Sequence, residues 1–285
     1  MSLERRRHNS SIFKTHVNVQ VAVLRNQLWF GDAAPSLGDQ FTSARAKERK
    51  PEIEGILWRS AQRYRRNGNA QLADRLEILA DKLFSCSSFH RCGSLACPVC
   101  ALAFQKAKYA GQVELIERLK VEQPGKELVM ANLIPTRFTY RPDQLNELNV
   151  RGANRWLKDK LTRANFQREM FGGFDLSWED GGFYQGHWHI PMLTSNREKL
   201  KRRLKAIFTA NAIVKRPVVV SLTYSNGYVP YKDKAIKILD LLRRNRRGLP
   251  RLLLALDRTD PLELMVLMRL RVSAQDGELR FKSVR

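Results

Sequence analysis

Apolar positions recur at helical spacing in the first part of the chain and at strand spacing further on. Between Pro51 and Arg66, Ile53, Leu57, Ala61 and Tyr64 form one stripe, which predicts a helix. Asn67-Gly68-Asn69 breaks it, and Leu72, Leu76, Leu79 and Leu83 predict a second helix over Ala70 to Phe84, closing a helical hairpin. A third helix is expected from about Leu102 to Leu119, ended by the turn Gln123-Pro124-Gly125. Glu127 to Ile134 reads as a buried strand, and Pro142 opens a helix through Leu161. Gly172 to Trp178 and Tyr184 to about Leu193 read as strands around the turn Asp180-Gly181-Gly182. Ser195 and Glu198 fit a capping box ahead of a helix carrying Leu200, Leu204, Ile207 and Phe208. Val218 to Tyr224 is a strand, Ser225-Asn226-Gly227 a turn, and Pro230 starts a helix to about Arg244. The remainder is expected to be helical around Leu262 to Leu270.

This order predicts an α+β fold, an antiparallel sheet with helices on one face. Residues 1–83 form a basic arm and the helical hairpin, with one alternating strand over Val17 to Val23. Residues 84–124 form a cysteine segment with its helix, 125–247 the sheet core, and 248–285 a helical extension. No fixed-period repeat is present.

Charge narrows the field. Lys and Arg total 51 against 28 Asp and Glu, a net charge of +23 and a pI near 10.4. Such a surface favours polyanions, nucleic acid ahead of ribosomes and anionic membranes. No apolar run reaches bilayer length, and no apolar segment follows the basic N-terminus, so a cytoplasmic protein with no membrane partner is expected.

The cysteines, Cys86, Cys92, Cys97 and Cys100, all fall in fifteen residues, which points to metal rather than disulfides. Four thiolates would close a tetrahedral structural zinc site, with His90 as a substitute ligand. His187-Trp188-His189 lies in a strand, so both imidazoles face one side. Two such histidines can hold a divalent ion, completed by Asp175 or Glu179 from the neighbouring strand. Taken alone, a solvated face explains them better, and the adjacent acidic strand and the basic charge reduce that preference. Tyr231 and Lys234 share a helix face, where an ammonium would favour phenolate, and an amphipathic helix start explains the same pair.

Taken in order, the cysteine segment Arg91 to Cys100, the strand Leu128 to Ile134, the segment Tyr184-Gln185-Gly186-His187-Trp188-His189-Ile190 and Tyr231 to Lys234 resemble the HUH endonucleases, specifically plasmid-type rolling-circle replication initiators. The resemblance covers roughly residues 84 to 240. It implies a ferredoxin-like nuclease core in which His187, His189 and Asp175, or else Glu179, hold Mg²⁺ or Mn²⁺. Tyr231 would attack single-stranded or hairpin origin DNA, leaving a 5′-phosphotyrosine and a free 3′-OH that primes a host polymerase after helicase unwinding. Lys234 would offset charge, and Tyr228 could be a second nucleophile. Lys201, Arg202 and Arg203, and Arg243, Arg244, Arg246 and Arg247, would track the DNA backbone. Two departures stand out: Pro191 is expected to end strand pairing early, and two tyrosines compete for one role. A relaxase, a transposase or a non-catalytic zinc-containing DNA-binding regulator are the alternatives.

Overall fold

The computed structural model describes residues 43–87, 89–166, 168–222, 248–275 and 278–284. Tyr228, Tyr231, Lys234, Arg243, Arg244, Arg246 and Arg247 lie outside these, as do the expected strand at Val17 to Val23 and helix at Pro230 to Arg244.

Helices α1 (Ser43–Arg66) and α2 (Ala70–Phe84) form the hairpin. The expected start of α1 at Pro51 is too late. Ala46 extends the buried stripe one heptad before Ile53, so packing carries the helix through a proline that lacks a donor. Asn69 caps α2, its side chain accepting from the Leu72 amide. At the other end, Lys50 donates to the Phe84 carbonyl at 3.0 Å. Helix α3 (Pro98–Glu122) is longer than expected at both ends, because Pro98 sits where no helical donor is needed.

Strand β1 (Glu127–Leu133) follows, then a short strand β2 (Thr139–Tyr140). The single helix expected from Pro142 is two pieces: a 3-10 turn, Pro142–Glu147, and α4 (Val150–Arg163). Leu148 leaves helical geometry, and Asn149 restarts it by accepting from the Gly152 amide. Strands β3 (Met170–Glu179) and β4 (Phe183–Thr194) form a hairpin across Asp180-Gly181-Gly182, with Gly182 at φ +77° as a three-residue loop requires. Helix α5 (Arg197–Ile207) is capped by Asn196, which accepts from Lys199, not by Ser195. Strand β5 (Val218–Leu222) and helix α6 (Leu249–Arg258) come next.

The C-terminal region is not the expected helix. After a 3-10 turn, Pro261–Leu264, it forms β6 (Met265–Met268), β7 (Leu270–Gln275) and β8 (Glu278–Ser283). Leu270, Val272 and Ala274 alternate with polar residues, a period of two, and β6 finds a partner in β3.

The sheet is antiparallel, in the order β5-β1-β4-β3-β6, with β2 on β4 and β7-β8 as a separate pair. Buried apolar residues from Ile53 to Phe281 join in one core. Its centre is Trp188, fully buried and ringed edge-on by Phe138 and Phe174, with Trp156 of α4 stacked on it. Phe208, at the end of α5, meets Trp156 on the same face. The other face is also covered at one end, contrary to the one-faced expectation: Ile116 and Leu119 of α3 share a cavity with Leu128 and Leu193, and Phe281 of β8 lies 6.0 Å from Phe171. Among the described residues, no helix is long and apolar enough to cross a membrane.

Candidate metal centres

Strand β4 is anchored through Trp188, whose indole N–H donates to Asn154 Oδ1 at 2.7 Å. Asn154 Nδ2 in turn donates to the carbonyls of Glu263 and Met265, at 2.6 and 3.2 Å. With Trp188 fixed on one face, strand alternation puts His187 and His189 on the other. Register does the rest: Asp175 of β3 pairs directly with His187, and Asn132 of β1 with His189.

The imidazoles and the carboxylate are 6 to 8% exposed, which rules out the solvated-face reading. His187 Nδ1 lies 3.2 Å from the Gln185 carbonyl, which can only accept, so Nδ1 carries the proton. His189 Nδ1 likewise donates to Asn132 Oδ1 at 2.6 Å. In the neutral rings both Nε2 lone pairs then face inward, 3.1 Å apart, and Asp175 Oδ2 stands 3.6 and 3.7 Å from them. Three acceptors converging in a buried space repel one another until a cation lies between them. Ligand atoms about 2.1 Å from one ion would have this spacing, so the Asp175–His187–His189 cluster can bind a metal.

Glu179 is not part of it. It shares the face but pairs with Phe183 at the hairpin end, four residues or roughly 13 Å along the strand from Asp175. Its carboxylate accepts from Ser177 at 2.6 Å. Asn132 and Gln185, which orient the two rings, are absent from the expectation; the β1–β4 register that selects Asn132 has no local sequence signal. Pro191 ends pairing on one side only: the β3–β4 ladder stops at Gly173 and His189, while β1 continues opposite β4 to Thr194.

The second cluster is the expected one. Cys86 Sγ lies 3.5 Å from Cys100 and 3.7 Å from Cys97, and Cys92 Sγ lies 3.6 Å from Cys100. Disulfide sulfurs would be about 2.0 Å apart, whereas ligands of one tetrahedral ion with 2.3 Å bonds stand about 3.8 Å apart. The four sulfurs can therefore hold a metal such as zinc. Hydrogen bonding, with Cys100 first, holds the Cys86 thiol far below its ordinary range and lowers the Cys92 thiol. The same crowding, with burial, pushes Cys97 and Cys100 far above theirs. Cys97 is the N-cap of α3 and Cys100 lies in its first turn, where the helix dipole favours negative sulfur. His90 stays outside and exposed, its amide bound to Ser87 Oγ.

Of the expected backbone-tracking residues, Lys201 stands 4.0 Å from Glu198 and Arg202 is exposed. Arg203 packs over the Phe166 ring at 4.3 Å and donates to the Ala164 carbonyl. Comparison of the chain with protein-family models, with curated proteins and with solved structures finds no match.

Proposed function

We propose that the protein is an HUH-type endonuclease of the rolling-circle initiator kind, cutting and rejoining single-stranded DNA through a tyrosine. The observation that carries this reading is the buried convergence of Asp175, His187 and His189 on one sheet face of a strongly basic chain. Mg²⁺ or Mn²⁺ held there would act as a Lewis acid on the scissile phosphate. Asp175 supplies charge, and the imidazoles, fixed through Nδ1, present Nε2 without reorganisation. The Tyr231 phenolate attacks phosphorus: its Oη–P bond forms as the P–O3′ bond breaks. The leaving oxygen takes a proton to become a 3′-OH, and the 5′ end stays on the tyrosine. Lys234 offsets the phenolate charge, and Tyr228 is the competing nucleophile. The cysteine cluster, as a zinc site with every position taken by sulfur, is structural.

The test is a denaturing gel of the protein with Mn²⁺ and single-stranded DNA from its own replicon, comparing wild type with Tyr231→Phe and Tyr228→Phe. The expected result is a protein–DNA adduct lost only in Tyr231→Phe. Loss only in Tyr228→Phe would move the nucleophile and keep the reaction. Tight DNA binding without any adduct would overturn cleavage in favour of a non-catalytic regulator.

A further inference from the structure

The β3–β4 ladder ends at Gly173 and His189; Gly172 still lies against Ile190, and beyond it residues 170–171 pair with β6 alone, while β4 runs on beside β1. The gap between β3 and β4 beyond that point is a cavity of about 360 Å³, a size typical of small-ligand sites. Its lining is mixed, with polar residues such as Asn165 and Thr194 beside an apolar patch of Phe166, Phe171, Met192 and Leu200. Its rim is cationic, with Lys126, Arg168, Lys199 and Arg203 against a single carboxylate, Glu169. That carboxylate is engaged elsewhere, 2.8 Å from Arg118.

Two of the cations are drawn together, with no carboxylate paired to either among the described residues. Lys126 Nζ and Arg168 Nη1 both donate to Gln123 Oε1, at 2.8 and 2.6 Å. A neutral amide oxygen does not offset either charge. Burial first, and Arg168 second, push the Lys126 ammonium below its ordinary value. An oxyanion placed here would gain two charge-assisted hydrogen bonds. Arg203, flat on the Phe166 ring, adds a guanidinium plane beside the apolar patch. A cavity with an aromatic and aliphatic patch, polar side chains and paired cations suits a molecule that is flat with polar edges at one end and phosphorylated at the other. The cavity lies two residues along β4 from His189, roughly 7 Å of strand, which is close to one nucleotide step.

We propose that this cavity receives one nucleotide of the bound single strand, its base inserted between the parted strands and its phosphate held by Lys126 and Arg168. This rests on the strand-cleavage reading for its choice of ligand, but not on cleavage itself. A base in the cavity fixes the register of the strand, and so which phosphate reaches the metal centre.

The experiment is fluorescence anisotropy of the full-length protein with a labelled single-stranded 12-mer, without added divalent ion. A set of oligonucleotides with one abasic position each is compared with the parent. Wild type is expected to lose roughly five- to a hundredfold in affinity at one abasic position. Lys126→Ala/Arg168→Ala is expected to bind the parent at least tenfold more weakly and to lose that positional dependence. Arg271→Ala/Lys282→Ala, on the opposed exposed positions of β7 and β8, removes equal charge and is expected to keep it. A flat abasic profile in wild type, or equal losses in the two double variants, would overturn the proposal. Displacement of the 12-mer by an equal concentration of free 5′-mononucleotide would assign the cavity to a soluble nucleotide and overturn it too. Adduct formation with a flat profile removes this inference alone; a positional profile without adduct removes only cleavage.

Discussion

Asn132 supplies no ligand atom, yet the metal centre depends on it. Its Oδ1 receives the His189 Nδ1 proton at 2.6 Å, so the lone pair of Nε2 points at the site. In Asn132→Ala that proton has no acceptor, and a buried unmet donor costs about 1–3 kcal/mol. The ring escapes by moving the proton to Nε2, 3.7 Å from Asp175 Oδ2. The metal-free fold is thereby relieved, but the metal must then displace a proton. Losing the hydrogen-bond partner of a ligating histidine weakens metal binding by about 10- to 100-fold, or about 1.4–2.7 kcal/mol. The assay is calorimetric titration with Mn²⁺ in the absence of DNA, with a urea melt alongside. Asn132→Ala should bind ten- to a hundredfold more weakly at nearly unchanged stability, and Asn132→Asp, which keeps an acceptor, should recover most of the affinity. Wild-type affinity in Asn132→Ala would refute the tautomer argument. So would an Asn132→Asp variant as weak as the alanine.

Three further outcomes follow from the packing. Asn154→Ala should destabilise the protein by about 2–4 kcal/mol in urea denaturation, since it strands the Trp188 indole and two carbonyls that are otherwise bonded. Gly111 of α3 lies against β8 so closely that a Cβ would stand 1.8 Å from the Leu279 carbonyl oxygen; Gly111→Ala should cost about 3 kcal/mol and lower the thermal midpoint by several degrees. Elemental analysis should find one zinc per chain, and Cys97→Ser should lose it together with a chelator-sensitive part of the thermal stability; an unchanged metal content would refute the four-sulfur site.

The cysteine segment and the His-x-His strand were legible in the sequence because each is local. Four sulfurs within fifteen residues need only one turn and the start of α3 to meet. Two imidazoles two apart need only a strand. The hairpin at Asp180 to Gly182 is equally local, and it brings an acidic strand beside the histidines. Helix α2 was legible to its last residue, since its leucine stripe lies within it and the breaker Asn67-Gly68-Asn69 directly precedes it.

What tertiary structure decided is whatever depends on partners distant in the chain. The choice of Asp175 over Glu179 is a matter of register, which places one opposite His187 and the other at the hairpin end. Asn132 reaches His189 across fifty-seven residues, and Asn154 reaches the chain before β6 across more than a hundred. The C-terminal strands misread as helix because a short apolar run fits either period, and only β3 and α3 offered them a surface as strands. The sequence alone determined which side chains could meet a metal. The strand pairing determined which of them do, because a side chain's face is set locally but its neighbour on that face comes from another strand.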